Sequence, residues 1–336
     1  MTEDLRLAQL HTWVHQQWPE ARIEVASADA SFRRYFRVFN EGKTSIAMDA
    51  PPEKEDCTPF LDVTQRLLDA GVHAPEIIRQ DLEQGFLLLE DFGSIPYLDQ
   101  LNTDSADSLY GDAISALLQI QQANPTNLPE YNHDFLMLEM QYMPEWFLQT
   151  HLNIQPSTEQ QDTINQCLND IATKVVEQPQ VFVHRDYHSR NLMITDNDNP
   201  GVIDYQDAML GPITYDLVSL LRDCYIQWPN DKVETWVLAF KTQLEQQGQL
   251  VDISDAEFIE WFDYMGLQRH IKVLGIFARL NHRDGKSNYL NDLPLTLEYT
   301  MQVAKKYSVT KPLFDLFNEW QIPQKIGSSS SDAVNS

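Results

Sequence analysis

Val181-Phe-Val-His-Arg-Asp-Tyr-His-Ser-Arg-Asn-Leu-Met-Ile-Thr195 decides how this 336-residue chain is read. An apolar run gives way to a polar one and then to a second apolar run, the pattern of strand, loop and strand. The loop carries Asp186 and, five residues on, Asn191. The chain next passes through Asp196-Asn-Asp-Asn-Pro-Gly201, whose residue types favour a turn, and returns as Val202-Ile203-Asp204. A hairpin of that length predicts Asp204 beside Asn191.

Two carboxylates and an amide oxygen so arranged suit phosphoryl transfer from a nucleotide. That reaction asks the protein for in-line positioning and for neutralisation of phosphate charge, and little covalent chemistry. Mg²⁺ prefers oxygen ligands, one or two of them carboxylates. Asn191 and Asp204 are therefore the expected metal ligands. Asp186 is the expected catalytic base, accepting the proton of the acceptor hydroxyl.

His184-Arg-Asp-Tyr-His-Ser-Arg-Asn191 resembles the H-R-D-x-x-x-x-N catalytic loop of the protein-kinase-like fold. The continuation Ile203-Asp-Tyr-Gln-Asp-Ala-Met-Leu-Gly-Pro-Ile-Thr-Tyr-Asp-Leu217 resembles the aminoglycoside phosphotransferase and choline kinase branch, where the metal Asp is not followed by Phe-Gly. Further tracts are similar to the bacterial anomeric sugar kinases of cell-wall recycling. These tracts are Ala28 to Arg37, Met48-Asp-Ala-Pro-Pro52 and Gly266 to Leu280. The resemblance spans roughly residues 20–320 and implies ATP and Mg²⁺ as cofactors. It also implies N-acetylmuramate and N-acetylglucosamine as acceptors, with the sugar 1-phosphate as product. Two other readings compete: an antibiotic or amino-alcohol kinase, whose cationic acceptor an acidic chain would suit, and a non-catalytic nucleotide sensor.

Two kinase parts are missing. Residues 22–39 contain no glycine, and Met48 stands where the V-A-I-K lysine would. The expected phosphate contacts are the backbone near Ser31 and the side chain of Arg34, with Arg33 and Arg37 on the opposite strand face. Glu90, Asp91 and Phe92 follow an apolar strand and are assigned to the interlobe hinge that meets adenine. Asp91-Phe-Gly93 spells the protein-kinase metal triplet but precedes the catalytic loop by almost a hundred residues. His184 is expected to order the loop backbone and Asp216 to brace it, the latter reading being equally that of a helix N-terminal carboxylate. Candidates for the acceptor are His188 and Arg190 in the loop, Asp207, Trp146 and Arg269. Trp146 and Tyr142 also fit core packing, and Arg269 and Arg279 also fit an internal ion pair.

Working outward, three strands are expected at 22–26, 32–39 and 44–49, then a helix from Thr58 to Gly71 and strands at 75–80 and 85–90. An N-terminal helix over 2–18, capped by Thr2, precedes them. Helices are expected at 104–123, 133–150 and 157–178, and from 214 to 320. The fold class is therefore α+β: a small antiparallel β-sheet lobe for nucleotide binding (1–92), a helical catalytic and substrate lobe (93–325), and a disordered tail (326–336).

Composition narrows the partners. A formal net charge of −26 with no basic stripe disfavours nucleic acid. No run is long enough to span a membrane, and the N-terminus lacks a signal-peptide pattern, so a cytoplasmic location is expected; a monomer is expected as well. Cys57, Cys167 and Cys224 are far apart and read as buried free thiols.

Overall fold

The computed structural model describes residues 4–28 and 32–326. Ser31, the cap expected at Thr2 and the tail from 327 lie outside the described residues. The chain forms two compact units, Met1–Pro96 with Leu192–Asp207, and Tyr97–Asn191 with Ala208–Ser336.

The first unit is built on a five-stranded antiparallel sheet. Its strands are β1 (Arg22–Ala28), β2 (Arg34–Asn40), β3 (Lys43–Asp49), β4 (Ile77–Asp81) and β5 (Phe86–Glu90), in the order β1-β2-β3-β5-β4. Alternation does the sorting: Phe36 and Val38 of β2 share a face with Ala47 of β3 and with Phe86 and Leu88 of β5. Helix α1 (Leu5–His15) covers that face with Leu10, Trp13 and Val14. Asp4 caps it, accepting the Leu7 N–H at 3.0 Å. Helix α2 (Thr58–Asp69) runs out into Gly71, whose φ of +80° is the left-handed turn that glycine permits.

The second unit is mainly helical, with α3 (Ala106–Ile120), α4 (His133–Met140), α5 (Thr158–Val176), α6 (Tyr215–Leu221) and α7 (Asn230–Gln246). Its spine is α8 (Asp255–Asp284), 30 residues long, begun by Ser254 accepting the Glu257 N–H and ended by Gly285 in the left-handed region. Helices α9 (Leu293–Ala304), α10 (Lys311–Glu319) and α11 (Ile322–Ile326) complete it. Strand β6 (Gln180–Val183) pairs with β9 (Met209–Pro212). The three cysteines are buried and free.

One expected helix is divided. Periodicity predicted a single helix over 133–150, whereas α4 stops at Met140 and a π-helix covers Met143–His151. Pro144 lacks the N–H for a regular i→i−4 ladder, so the backbone adopts wider turns there. The π-helix packs closely on α8. A Cβ at Gly275 would lie 2.3 Å from the Tyr142 carbonyl carbon, so only glycine allows that approach.

The strand-loop-strand reading of 181–195 also takes a different form. The strand before the loop, β6, belongs to the second unit. The strand after it, β7 (Leu192–Met193), pairs with β8 (Gly201–Val202) in the first. Within that unit Ile194 N–H reaches Ile95 O at 2.9 Å and Val202 N–H reaches His73 O at 2.8 Å. The hairpin is therefore pinned to the segments beside β5 and α2.

Candidate active site

The loop from His184 to Asn191 is tightly wound. His188 N–H donates to Asp186 O at 3.0 Å and Asn191 N–H to His188 O at 2.9 Å. Asn191 Nδ2 also donates to Asp186 O at 3.0 Å, which turns its Oδ1 the other way. His184 is buried and its Nδ1 accepts the Asp186 N–H at 3.2 Å, so the imidazole acts on the loop backbone.

Asp216, buried in the first turn of α6, accepts His184 N–H at 2.7 Å and Arg185 N–H at 3.0 Å. Arg185 has φ +78°, a conformation a non-glycine residue keeps only where its surroundings impose it. Burial pushes the Asp216 carboxyl up to about 7, against the two backbone N–H groups and Arg269, which favour its ionised form.

Beneath the loop lies a buried charged network. Glu139 of α4 receives Arg185 Nη2 and Lys272 Nζ, each at 2.8 Å, and the Tyr131 hydroxyl. Arg269 Nη1 donates to Arg185 O at 3.1 Å and to the Tyr215 hydroxyl at 3.3 Å. These cations set the state of Asp186, which is half-buried. Burial acts to raise its carboxyl, but the positive charges of Arg269, Lys272 and Arg185 outweigh that and hold it below the ordinary carboxylate range. The carboxylate is thus ionised at neutral pH, the form that can accept a proton.

The far end of the loop has a second anchor. Asp223, buried just after α6, accepts the Ser189 N–H at 3.0 Å and the Ser189 hydroxyl through one oxygen, and Tyr225 N–H at 3.2 Å through the other. Neither Asp223 nor Glu139 was singled out from the sequence. Each carried a signal: an acid set in an apolar run, Leu136-Met-Leu-Glu-Met140 and Leu220-Leu-Arg-Asp-Cys224, implies a buried partner.

Asp204 lies in the first unit, at φ +65°. Gln206 Nε2 donates to its Oδ1 at 3.0 Å. The next residue, Tyr205, is fully buried and stacks on Phe60 of α2 at 5.3 Å, its hydroxyl 2.8 Å from Thr64 Oγ1. Phe60 and Thr64 are four residues apart and share one helix face. Helix α2 thus fixes the residue beside Asp204.

Of the other expected contacts in this unit, Arg34 is engaged elsewhere. Its Nε donates to the buried Asp49 at 2.9 Å and its Nη1 pairs with Asp4, so it sits on the sheet face that α1 covers. Arg37, of opposite parity, holds Asp91 at 2.7 and 3.0 Å and Gly93 O at 2.6 Å. Asp91 therefore shapes its own turn, also accepting Gly93 N–H at 2.9 Å. Glu90 N–H pairs with Glu76 O at 2.9 Å. The Phe92 ring lies where a Cβ on Gly201 would fall, 2.5 Å away, which locks the hairpin to this segment. Asp207 is exposed.

Among the acceptor candidates of the second unit, Arg269 is buried within the network and His188 is half-buried with Nδ1 enclosed and unpartnered. Burial lowers its imidazole below the ordinary value, against Asp223 and Asp186. Arg190 is exposed, its guanidinium 3.5 Å above the Tyr225 ring. Trp146 is half-buried in the π-helix.

The donor chemistry fits magnesium. Asn191 and Asp204 offer oxygen, and among the described residues no group of three or more His, Cys, Asp or Glu could hold a metal ion, so a richer protein cage of the zinc type is absent there.

A five-stranded antiparallel sheet unit and a helical unit carrying a braced H-R-D-x-x-x-x-N loop define a kinase-like phosphotransferase. A model of the phosphotransferase enzyme family matches residues 22–252, and the chain belongs to that family. It is 41% identical over 331 residues to an N-acetylmuramate/N-acetylglucosamine kinase of Pseudomonas putida, with 95% of this chain and 97% of that protein covered. It is 38% identical over 322 residues to a kinase of the same name from Neisseria meningitidis, with 94% and 96% covered. Among solved structures, it is similar to choline kinase LicA from Streptococcus pneumoniae, with TM-score 0.62, 12% identity and 88% and 99% of the two chains covered. It is also similar to the ADP-bound aminoglycoside phosphotransferase APH(2'')-Ib, with TM-score 0.59, 12% identity and 88% and 98% covered. At that identity the two structures show the fold alone.

Proposed function

We propose that this protein uses ATP to phosphorylate the anomeric hydroxyl of N-acetylmuramate and N-acetylglucosamine, yielding the sugar 1-phosphate in peptidoglycan recycling. The observation that carries the reading is the Asp186 carboxylate, kept ionised by Arg269, Lys272 and Arg185 on a loop pinned by Asp216 and Asp223. Relatives aligned over nearly the whole chain support the amino-sugar acceptor. An antibiotic or amino-alcohol acceptor has only likeness of fold behind it. A sensor would have no use for an ionised, doubly braced base.

Asp186 orients the anomeric hydroxyl and accepts its proton. The hydroxyl oxygen bonds to the γ-phosphorus as the bond to the leaving ADP oxygen breaks. Asn191 and Asp204 are assigned to magnesium, which when bound neutralises phosphate charge. Residues 1–92 are assigned to the nucleotide, with Ser31 and the Glu90–Phe92 segment as contacts, and 93–325 to chemistry and acceptor. No helix of the described residues is long and apolar enough to cross a membrane. A cytoplasmic monomer is part of the same proposal.

Phosphorus NMR after incubation with ATP, Mg²⁺ and each amino sugar tests the reading. A sugar 1-phosphate resonance with equimolar ADP is expected. Phosphorylation at another hydroxyl, or consumption of ATP without a sugar phosphate, would overturn it.

A further inference from the structure

Arg190 stands apart from the other arginines around the catalytic loop. Arg185 is held by Glu139, Arg222 by Asp263 at 2.8 Å, and Arg269 by a carbonyl and a phenol. Arg190 makes no hydrogen bond or ion pair with any described residue, although its guanidinium carbon lies over Tyr225, 3.5 Å from the ring centroid. Stacking fixes the plane of a guanidinium and leaves its edge, with the N–H donors, turned outward. The platform is itself fixed: Tyr225 N–H is bound to Asp223, the carboxylate that also holds Ser189. Two acids bear on this corner. Asp223 is occupied by Ser189 and Tyr225, and Asp292 lies beyond ion-pair distance of Arg190.

A guanidinium held over a ring, with no ion-pair partner among the described residues, in a chain of net charge −26, is a local anion site. Arg190 is four residues from Asp186 along a loop wound tightly by its own hydrogen bonds. A group it binds therefore belongs to the molecule whose hydroxyl meets Asp186. The two amino sugars differ in one anionic group, the lactyl carboxylate of N-acetylmuramate. We propose that Arg190, laid on Tyr225, binds the carboxylate of an acidic acceptor sugar and sets the preference for N-acetylmuramate over N-acetylglucosamine. This rests on the amino-sugar reading above. Among the acceptor candidates of the sequence it favours Arg190 over Arg269, because Arg269 is buried and engaged.

The test compares kcat/KM for the two sugars in the full-length enzyme and in Arg190→Met, Arg190→Lys and Arg279→Met. Arg279 serves as comparison because it too rests on a tyrosine ring, Tyr142, without an ion pair to any described residue. A bidentate charge-assisted contact predicts that Arg190→Met lowers the ratio of N-acetylmuramate to N-acetylglucosamine by about 10- to 100-fold, chiefly through KM. Arg190→Lys recovers part of the ratio, since it keeps charge without the planar fork. Loss of both activities in equal proportion, an unchanged ratio, or collapse of the ratio in Arg279→Met alone would overturn the proposal. In each of those cases wild-type turnover of both sugars leaves the kinase reading intact. Wild-type turnover of neither would remove both.

Discussion

Asp216 takes the backbone N–H of Arg185 at 3.0 Å while Arg185 stands at φ +78°. A buried carboxylate thus holds the residue before Asp186 in a conformation costing of order 1–3 kcal/mol, so the brace and the strain belong to one device.

The brace titrates. Burial places the Asp216 carboxyl at about 7, above its unfolded value of 3.8, so the folded chain binds this proton more tightly than the unfolded one. That share of stability is fully present below about pH 4 and is lost as pH rises through 7. Asp216→Asn cannot titrate, so the difference in melting temperature between wild type and variant should narrow from pH 5 to pH 8. A difference that is constant or widens would show that Asp216 is ionised throughout.

Asp186→Ala removes the proposed base but none of the loop's anchors. Its kcat should fall by about 10²–10⁴-fold with nucleotide affinity retained. In the wild type, the acidic limb of kcat/KM should lie below the ordinary carboxylate range because Arg269 and Lys272 hold the Asp186 carboxyl down. Steady-state kinetics over pH 4–8 and nucleotide titration check both statements.

Asp204→Ala should abolish the magnesium dependence of ATP binding while leaving Tyr205 seated on Phe60 and Thr64. Calorimetry with and without Mg²⁺ reads the first effect, and an unchanged melting temperature reads the second. Metal-dependent binding that survives in the variant would remove Asp204 from the ligand set.

Glu139→Ala leaves Arg185 and Lys272 buried without their shared carboxylate. Breaking a buried pair from one side costs about 3–5 kcal/mol, so urea unfolding should show a loss of that order. Glu139→Gln, which keeps shape and a hydrogen-bond acceptor, should lose less.

Local pattern made much of this protein legible. Strands β2 and β3 follow from alternation in 32–39 and 44–49, with turn residues Glu41 and Gly42 between them at φ +49° and +80°. The helical character of 214–320 was legible, but its division into α6 to α10 was not read from the sequence. The break between α4 and the π-helix did not follow from periodicity, which does not register Pro144, and the close approach of Gly275 to Tyr142 is tertiary. Arg34 and Arg37 illustrate the same limit. Parity set them on opposite faces, but only their partners Asp49 and Asp91 show how each is used.

The sequence by itself determined the fold class and the residue types the loop presents, because residue types at fixed spacing are properties of the chain. Tertiary structure decided which groups tune that chemistry. Asp216, Asp223, Glu139, Lys272 and Arg269 reach the loop from separate helices and connecting segments. The electrostatic state of Asp186 is the sum of charges that become neighbours only when those segments pack.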